Sequence, residues 1–203
     1  MTISLRFIKE ALLVVAALLS LLPSLSMGAQ ANGLRLQDVA NGGSFVLMMR
    51  HADAPGFGDP PGFRQGDCGT QRNLGAAGRA QAQAIGRWLE GQGLRQPRLF
   101  ASPWCRCLDT ARLLGLGPVV SEDSLGSFFD EPSQGGAQTR QLQAFIARTL
   151  SQTSTAPLVL VTHQVNITAF VGATVGTGEM VLVEVDTQGK PVRHVRLSVP
   201  GER

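Results

Sequence analysis

The segment Phe45 to His51, FVLMMRH, constrains the chain more than any other. An apolar run of this length, bounded by Gly42-Gly43 and by Ala52 to Pro55, has the pattern of a parallel strand buried on both faces. It ends in Arg50 and His51. In open α/β sheets the ligand crevice lies beyond the carboxyl ends of the strands, so these two side chains sit where chemistry is expected. A second run, Leu158 to Thr162, ends in the same way at His163. A third, Leu99 to Ala101, leads into Ser102-Pro103-Trp104-Cys105-Arg106. There Ser102 suits an N-cap and Pro103 the first helical position, which predicts a helix over Trp104 to Leu114. Arg106 then lies in its first turn, where backbone N–H groups and the macrodipole favour an anion. The alternative is a surface ion pair of Arg106 with Asp109 or Asp123.

The rest of the chain supplies what such a sheet needs. Gly75 to Gln92 has a helical rhythm carried by Ala77, Ala80, Ala84, Ile85, Trp88 and Leu89. Gln138 to Leu150 has another, with Leu142, Phe145, Ile146 and Leu150 turned to the core, and Val165 to Val171 begins a helix after His163. Gly117 to Ser121 reads as a further strand. Met180 to Asp186 and Val192 to Val199 alternate about the turn Thr187-Gln188-Gly189-Lys190 and predict a hairpin. The expected fold is therefore α/β: a three-layer α/β/α sandwich with a mostly parallel central sheet and a carboxyl-terminal antiparallel hairpin. Between the first strand and the first long helix, Asp53 to Arg72 is rich in Gly, Pro and Asp and has to be a loop. A long loop at a strand's carboxyl end shapes a pocket, and its cations Arg64 and Arg72 are candidate substrate contacts.

With 203 residues, 43% of them hydrophobic, the chain can build one domain with a real core. The net charge is +3, no Lys/Arg cluster exists, aromatics are 5% and Tyr is absent, so a nucleic-acid partner is not expected. Arg6 and Lys9 precede an apolar stretch of 12 residues, Ala11 to Leu22, which is short for a membrane span and has the form of a secretory signal. Cleavage is expected near Ala31, making residues 1–31 a signal peptide and 32–203 the domain; the alternative is an uncleaved amino-terminal anchor, and either way the folded part is exported. With cleavage, the only membrane contact is through that segment before it is removed, and the product is periplasmic or secreted. In such an oxidising compartment two of the cysteines Cys68, Cys105 and Cys107 should pair. Residues two apart on a helix point apart, so Cys68 is expected to bridge to Cys105 or to Cys107.

The segments Arg50-His51-Ala52, SPWCRCLDTA (Ser102 to Ala111) and VTHQVNI (Val161 to Ile167), with RNLGAAGRAQA between them, resemble the histidine phosphatase superfamily, which also contains the phosphoglycerate mutases. Ala52 stands where that family more often has Gly. The resemblance implies a phosphatase for a small phosphorylated substrate. His51 would take the phosphoryl group, with Arg50, Arg106 and His163 holding its oxygens. Family members often draw the leaving-group proton from a carboxylate next to the second histidine, where this chain has Gln164; Asp130 or Glu131 is the expected donor instead, with Asp53 a further choice. VTHQVNI and the secretory start are similar to the envelope branch that includes heptose phosphate phosphatases, which suggests an envelope sugar phosphate. No cofactor is implied. Two His with several carboxylates could ligate zinc, but two adjacent arginines would repel it. A non-catalytic phospholigand-binding module is the other class of function the same residues permit.

Overall fold

The computed structural model describes residues 34–197. The expected signal peptide, residues 1–31, and the last residues of the expected second hairpin strand lie outside them. In chain order the elements are α1 (Leu36–Ala40), β1 (Phe45–Arg50), α2 (Ala76–Gly91), β2 (Arg98–Ala101), α3 (Cys105–Leu113), β3 (Val119–Ser121), α4 (Gly135–Leu150), β4 (Leu158–Thr162), α5 (Gln164–Val171), β5 (Met180–Val185) and β6 (Pro191–Leu197). Short 3₁₀ turns occupy Cys68–Thr70, Asp123–Leu125 and Pro132–Gln134.

The strands form one sheet of order β3-β2-β4-β1-β5-β6. β1, β2, β3 and β4 pair in parallel, and β5 and β6 close the other edge antiparallel as the predicted hairpin. Alternation along β1 explains the layers. Leu47 and Met49 join Ile85, Leu89 and Ala111 on the face covered by α1, α2 and α3. Val46 and Met48 join Leu142, Ile146 and Ile167 on the face covered by α4 and α5. β4 is buried at every position and β1 at its four inner ones, which is why both read as unbroken apolar runs.

Two local expectations are corrected. The buried face of α2 is Gly78, Ala82, Ile85, Gly86 and Leu89, while Ala77, Ala80 and Ala84 are exposed. The glycines decide this: a Cβ at Gly78 would stand 1.9 Å from the carbonyl oxygen of Asp53, and one at Gly86 1.9 Å from that of Leu114. The helix lies on backbone there, which a side chain would forbid. Secondly, α3 begins at Cys105 with Trp104 as its N-cap. The Cys105 N–H bonds the Gln71 side chain at 2.9 Å, and the Ser102 hydroxyl accepts from the Trp104 N–H, at 3.4 Å.

Of the two pairings left open, Cys68 bridges Cys105, and Cys107 is free and buried. The bond joins positions 37 apart and staples the long loop to the first turn of α3. A closed loop of that length is worth about 4 kcal/mol in the chain-entropy account.

Candidate active site

Three parallel strand ends build the site. β1 and β4 are in register through Arg50 and Thr162, so His51 and His163 leave the sheet side by side. The His51 N–H bonds the Thr162 carbonyl at 3.0 Å and the Ser102 N–H bonds that of Val161 at 2.9 Å, which carries the alignment one residue past each strand. The two imidazoles lie edge to face with centroids 5.5 Å apart. They open on a cleft of about 330 Å³ bordered also by Arg50, Arg72, Arg106, Asp53, Asp59 and Asp130.

His51 is 2% exposed. Its Nδ1 lies 2.8 Å from the Ala52 carbonyl, which can only accept, so Nδ1 carries the proton and Nε2 keeps its lone pair. Ala52, the departure from the family pattern, is fully buried and donates its N–H to Thr110 Oγ1 at 3.0 Å. Burial, reinforced by Arg106, Arg50 and Arg72, lowers the His51 pKa to about 3 against a raising contribution from the Ala52 hydrogen bond. His163 is also held well below its ordinary value by burial and then by Arg106. Its Nε2 pairs with Ser102 Oγ at 2.8 Å and approaches the Cys107 sulfur at 3.5 Å. Burial pushes the Cys107 thiol up to about 12, which keeps it protonated.

The three guanidiniums are held differently. Arg50 donates Nη1 to the Val175 carbonyl at 3.0 Å and to Gln164 Oε1 at 3.3 Å, while its buried Nε has no partner. Gln164, which cannot titrate, therefore steadies Arg50. Arg72 donates Nε to the Gly58 carbonyl at 2.8 Å and Nη1 to that of Ala54. Burial and then Arg106 lower the pKa of both Arg50 and Arg72. An anion among the three relieves their mutual repulsion.

Arg106 pairs with neither Asp109 nor Asp123. It binds Asp59 through Nη1, at 2.8 and 3.1 Å, with the side chains only 4% and 6% exposed. Asp109 is taken by Arg79 and Arg112 at the surface. Asp59 is a site residue that sequence reasoning missed. The two positions are 47 residues apart with no periodicity to link them, and the only signal was a carboxylate within the loop already expected to shape the pocket. Arg64, expected there with Arg72, points elsewhere: it is exposed and paired with Asp67. Of the proposed proton donors, Asp130 borders the cleft and is exposed, Asp53 borders it half-buried, and the exposed Glu131 does not reach it.

The histidines make the domain acid-labile. Both are neutral in the fold but take up protons in the unfolded chain once the pH falls through about 6.5. Their stabilising contribution is present above that value and is lost as the pH falls from about 6.5 toward the folded pKa of about 3 for His51. With two protons involved, stability should fall by up to about 2.7 kcal/mol per pH unit within that window. Melting curves at pH 7, 6 and 5 check this; an unchanged midpoint would mean that the imidazoles are not held neutral.

Comparison with known proteins agrees with this architecture. The family model for the histidine phosphatase superfamily (branch 1) matches residues 46–128, a span that ends before His163. The solved structure of the protein histidine phosphatase SixA complexed with tungstate is 20% identical, with a TM-score of 0.52 over 76% of this chain and 96% of that one. Phosphoserine phosphatase from Entamoeba histolytica, in complex with 3-phosphoglyceric acid, is 13% identical, with a TM-score of 0.57 over 77% of this chain and 98% of that one. At such identities the likeness is one of fold. Comparison with curated proteins finds no match. The chain is thus similar to the histidine phosphatase superfamily over β1, the long loop and the helix of Arg106, and it shares its fold with nearly the whole of both solved structures.

Proposed function

We propose that the protein is a phosphatase that hydrolyses a phosphomonoester through a phosphohistidine on His51. The observation that carries this reading is the commitment of His51 Nδ1 to the Ala52 carbonyl, which leaves an uncharged Nε2 beside three guanidiniums. A neutral imidazole with a free lone pair is a nucleophile, and arginines match a phosphoryl group in the ground state and as its charge spreads. His51 Nε2 attacks phosphorus, the bond to the ester oxygen breaks, and water then releases phosphate and frees the imidazole. Arg50, Arg72, Arg106 and His163 hold the oxygens. Asp130, at the rim of the cleft, gives the leaving oxygen its proton.

The rim also speaks to the leaving group. Phe57 and Phe129, from two different loops, border the cleft edge to face with centroids 5.1 Å apart, and Phe57 is 88% exposed. Apolar rings left in water at a pocket mouth suit a leaving group with a ring face of its own, and Asp130 beside them suits its hydroxyls. With the secretory signal read in residues 1–31, this favours an exported enzyme acting on an envelope sugar phosphate.

The test is a phosphoester panel. Sugar and aryl phosphates should be cleaved with kcat/KM at least roughly tenfold above glycerol phosphate, given the contact area each ring brings. Vanadate should inhibit and chelators should not. A protein that binds inorganic phosphate but releases none from any ester is the binding module instead.

A further inference from the structure

We propose that Asp59 is the positioning residue for Arg106, holding one corner of that guanidinium so that its remaining N–H groups meet the phosphoryl oxygens; this rests on the phosphatase reading above. Three groups converge on the Asp59 carboxylate. Arg106 Nη1 donates to both oxygens at 2.8 and 3.1 Å, the Arg72 N–H donates to Oδ1 at 3.0 Å, and Trp104 Nε1 donates to Oδ2 at 3.1 Å. Burying a carboxylate costs several kcal/mol of solvation, and a Gly- and Pro-rich loop has no need of one to close. Here the loop is already stapled by the Cys68–Cys105 bond. The carboxylate instead fixes a side chain that would otherwise sample many rotamers.

Arg106 is only partly used by this contact. Its Nη1 also leans on the Arg72 carbonyl at 3.5 Å, but its buried Nε has no partner. A guanidinium gripped at one nitrogen and uncommitted at another is oriented without being saturated. The same carboxylate accepts from the backbone N–H of Arg72, so it also fixes the main chain that carries a second cation, whose guanidinium is held by the Gly58 and Ala54 carbonyls. Trp104, held by its Nε1, lies edge to face with His163 at 5.4 Å and stacks on Phe63 at 5.4 Å, which links the loop, the second histidine and α3. The carboxylate also cancels one positive charge in a cluster whose members repel.

These two effects separate in Asp59→Asn, which keeps the shape and one acceptor but removes the charge. Arg106 loses its grip, so kcat should fall about 10- to 100-fold, the range for one charge-assisted hydrogen bond. The cluster gains a net positive charge, so inorganic phosphate, measured by calorimetry, should bind about three- to tenfold tighter. Asp59→Glu, which keeps the charge, should recover part of kcat and bind phosphate as the wild type does. A purely structural role would lower kcat, phosphate affinity and melting temperature together, and that result overturns the assignment, as does a variant unchanged in both kcat and phosphate binding. Should Asp59→Asn not fold, Trp104→Phe, which removes only the indole donor, makes the same test: kcat lower with phosphate binding not weakened, against a parallel loss that overturns it. A wild type inactive on every ester overturns the phosphatase reading and this assignment together, whereas an active wild type with an unaffected Asp59→Asn overturns the assignment alone.

Discussion

His51→Ala is expected to leave a folded protein whose turnover has fallen by on the order of 10⁴- to 10⁶-fold, the range for removal of a covalent nucleophile. The fold should survive because His51 is held by one side-chain hydrogen bond to a neighbouring carbonyl, while the strand end is fixed by its backbone bond to Thr162. The variant should also resist acid better than the wild type, since one of the two neutral buried imidazoles is gone. Rapid quenching of the wild type during turnover should trap acid-labile phosphate on a peptide containing His51, and the variant should trap none. Unimpaired turnover by His51→Ala would overturn the mechanism, and phosphate trapped on His163 would reassign the nucleophile.

How much of this could be read from the sequence follows from the physics of each part. β1 and β4 are covered on both faces, so they appear as apolar runs, and residues that end such runs in register must meet; that is why Arg50, His51 and His163 were legible as a group. The hairpin edge was legible through its turn. The inner face of α2 was not, because Gly78 and Gly86 pack by having no side chain and so contribute nothing to a hydrophobic rhythm that Ala77, Ala80 and Ala84 appeared to carry. Ser102 looked like a cap from its place before Pro103, and its hydroxyl does accept from the Trp104 N–H at 3.4 Å, but the helix starts later and the closer partner is His163, 61 residues away at 2.8 Å. Asp59 and Arg64 show the same limit within one loop. Both are charged and near the site in sequence, and only the path of an irregular chain decides that Asp59 turns in to Arg106 while Arg64 turns out to Asp67.

Arg106→Ala is expected to damage both function and stability, for separable reasons. The guanidinium holds oxygens more tightly as charge spreads in the transition state, so its loss should lower kcat as well as raise KM, by about 2 to 4 kcal/mol in transition-state terms. Arg106→Lys should recover little, because an ammonium cannot hold Asp59 at one corner and a phosphoryl group at another. Stability should fall by about 3 to 5 kcal/mol, the range for removing one partner of a buried ion pair, since Asp59 would stay enclosed with only the Trp104 and Arg72 N–H groups to satisfy it. The double variant Arg106→Ala/Asp59→Ala removes that orphaned charge, so denaturant unfolding should show most of the stability restored while activity stays lost. If the double variant is no more stable than Arg106→Ala, the orphaned Asp59 carboxylate is not what destabilises the single variant. If activity returns with stability, Arg106 serves the fold rather than the phosphoryl group.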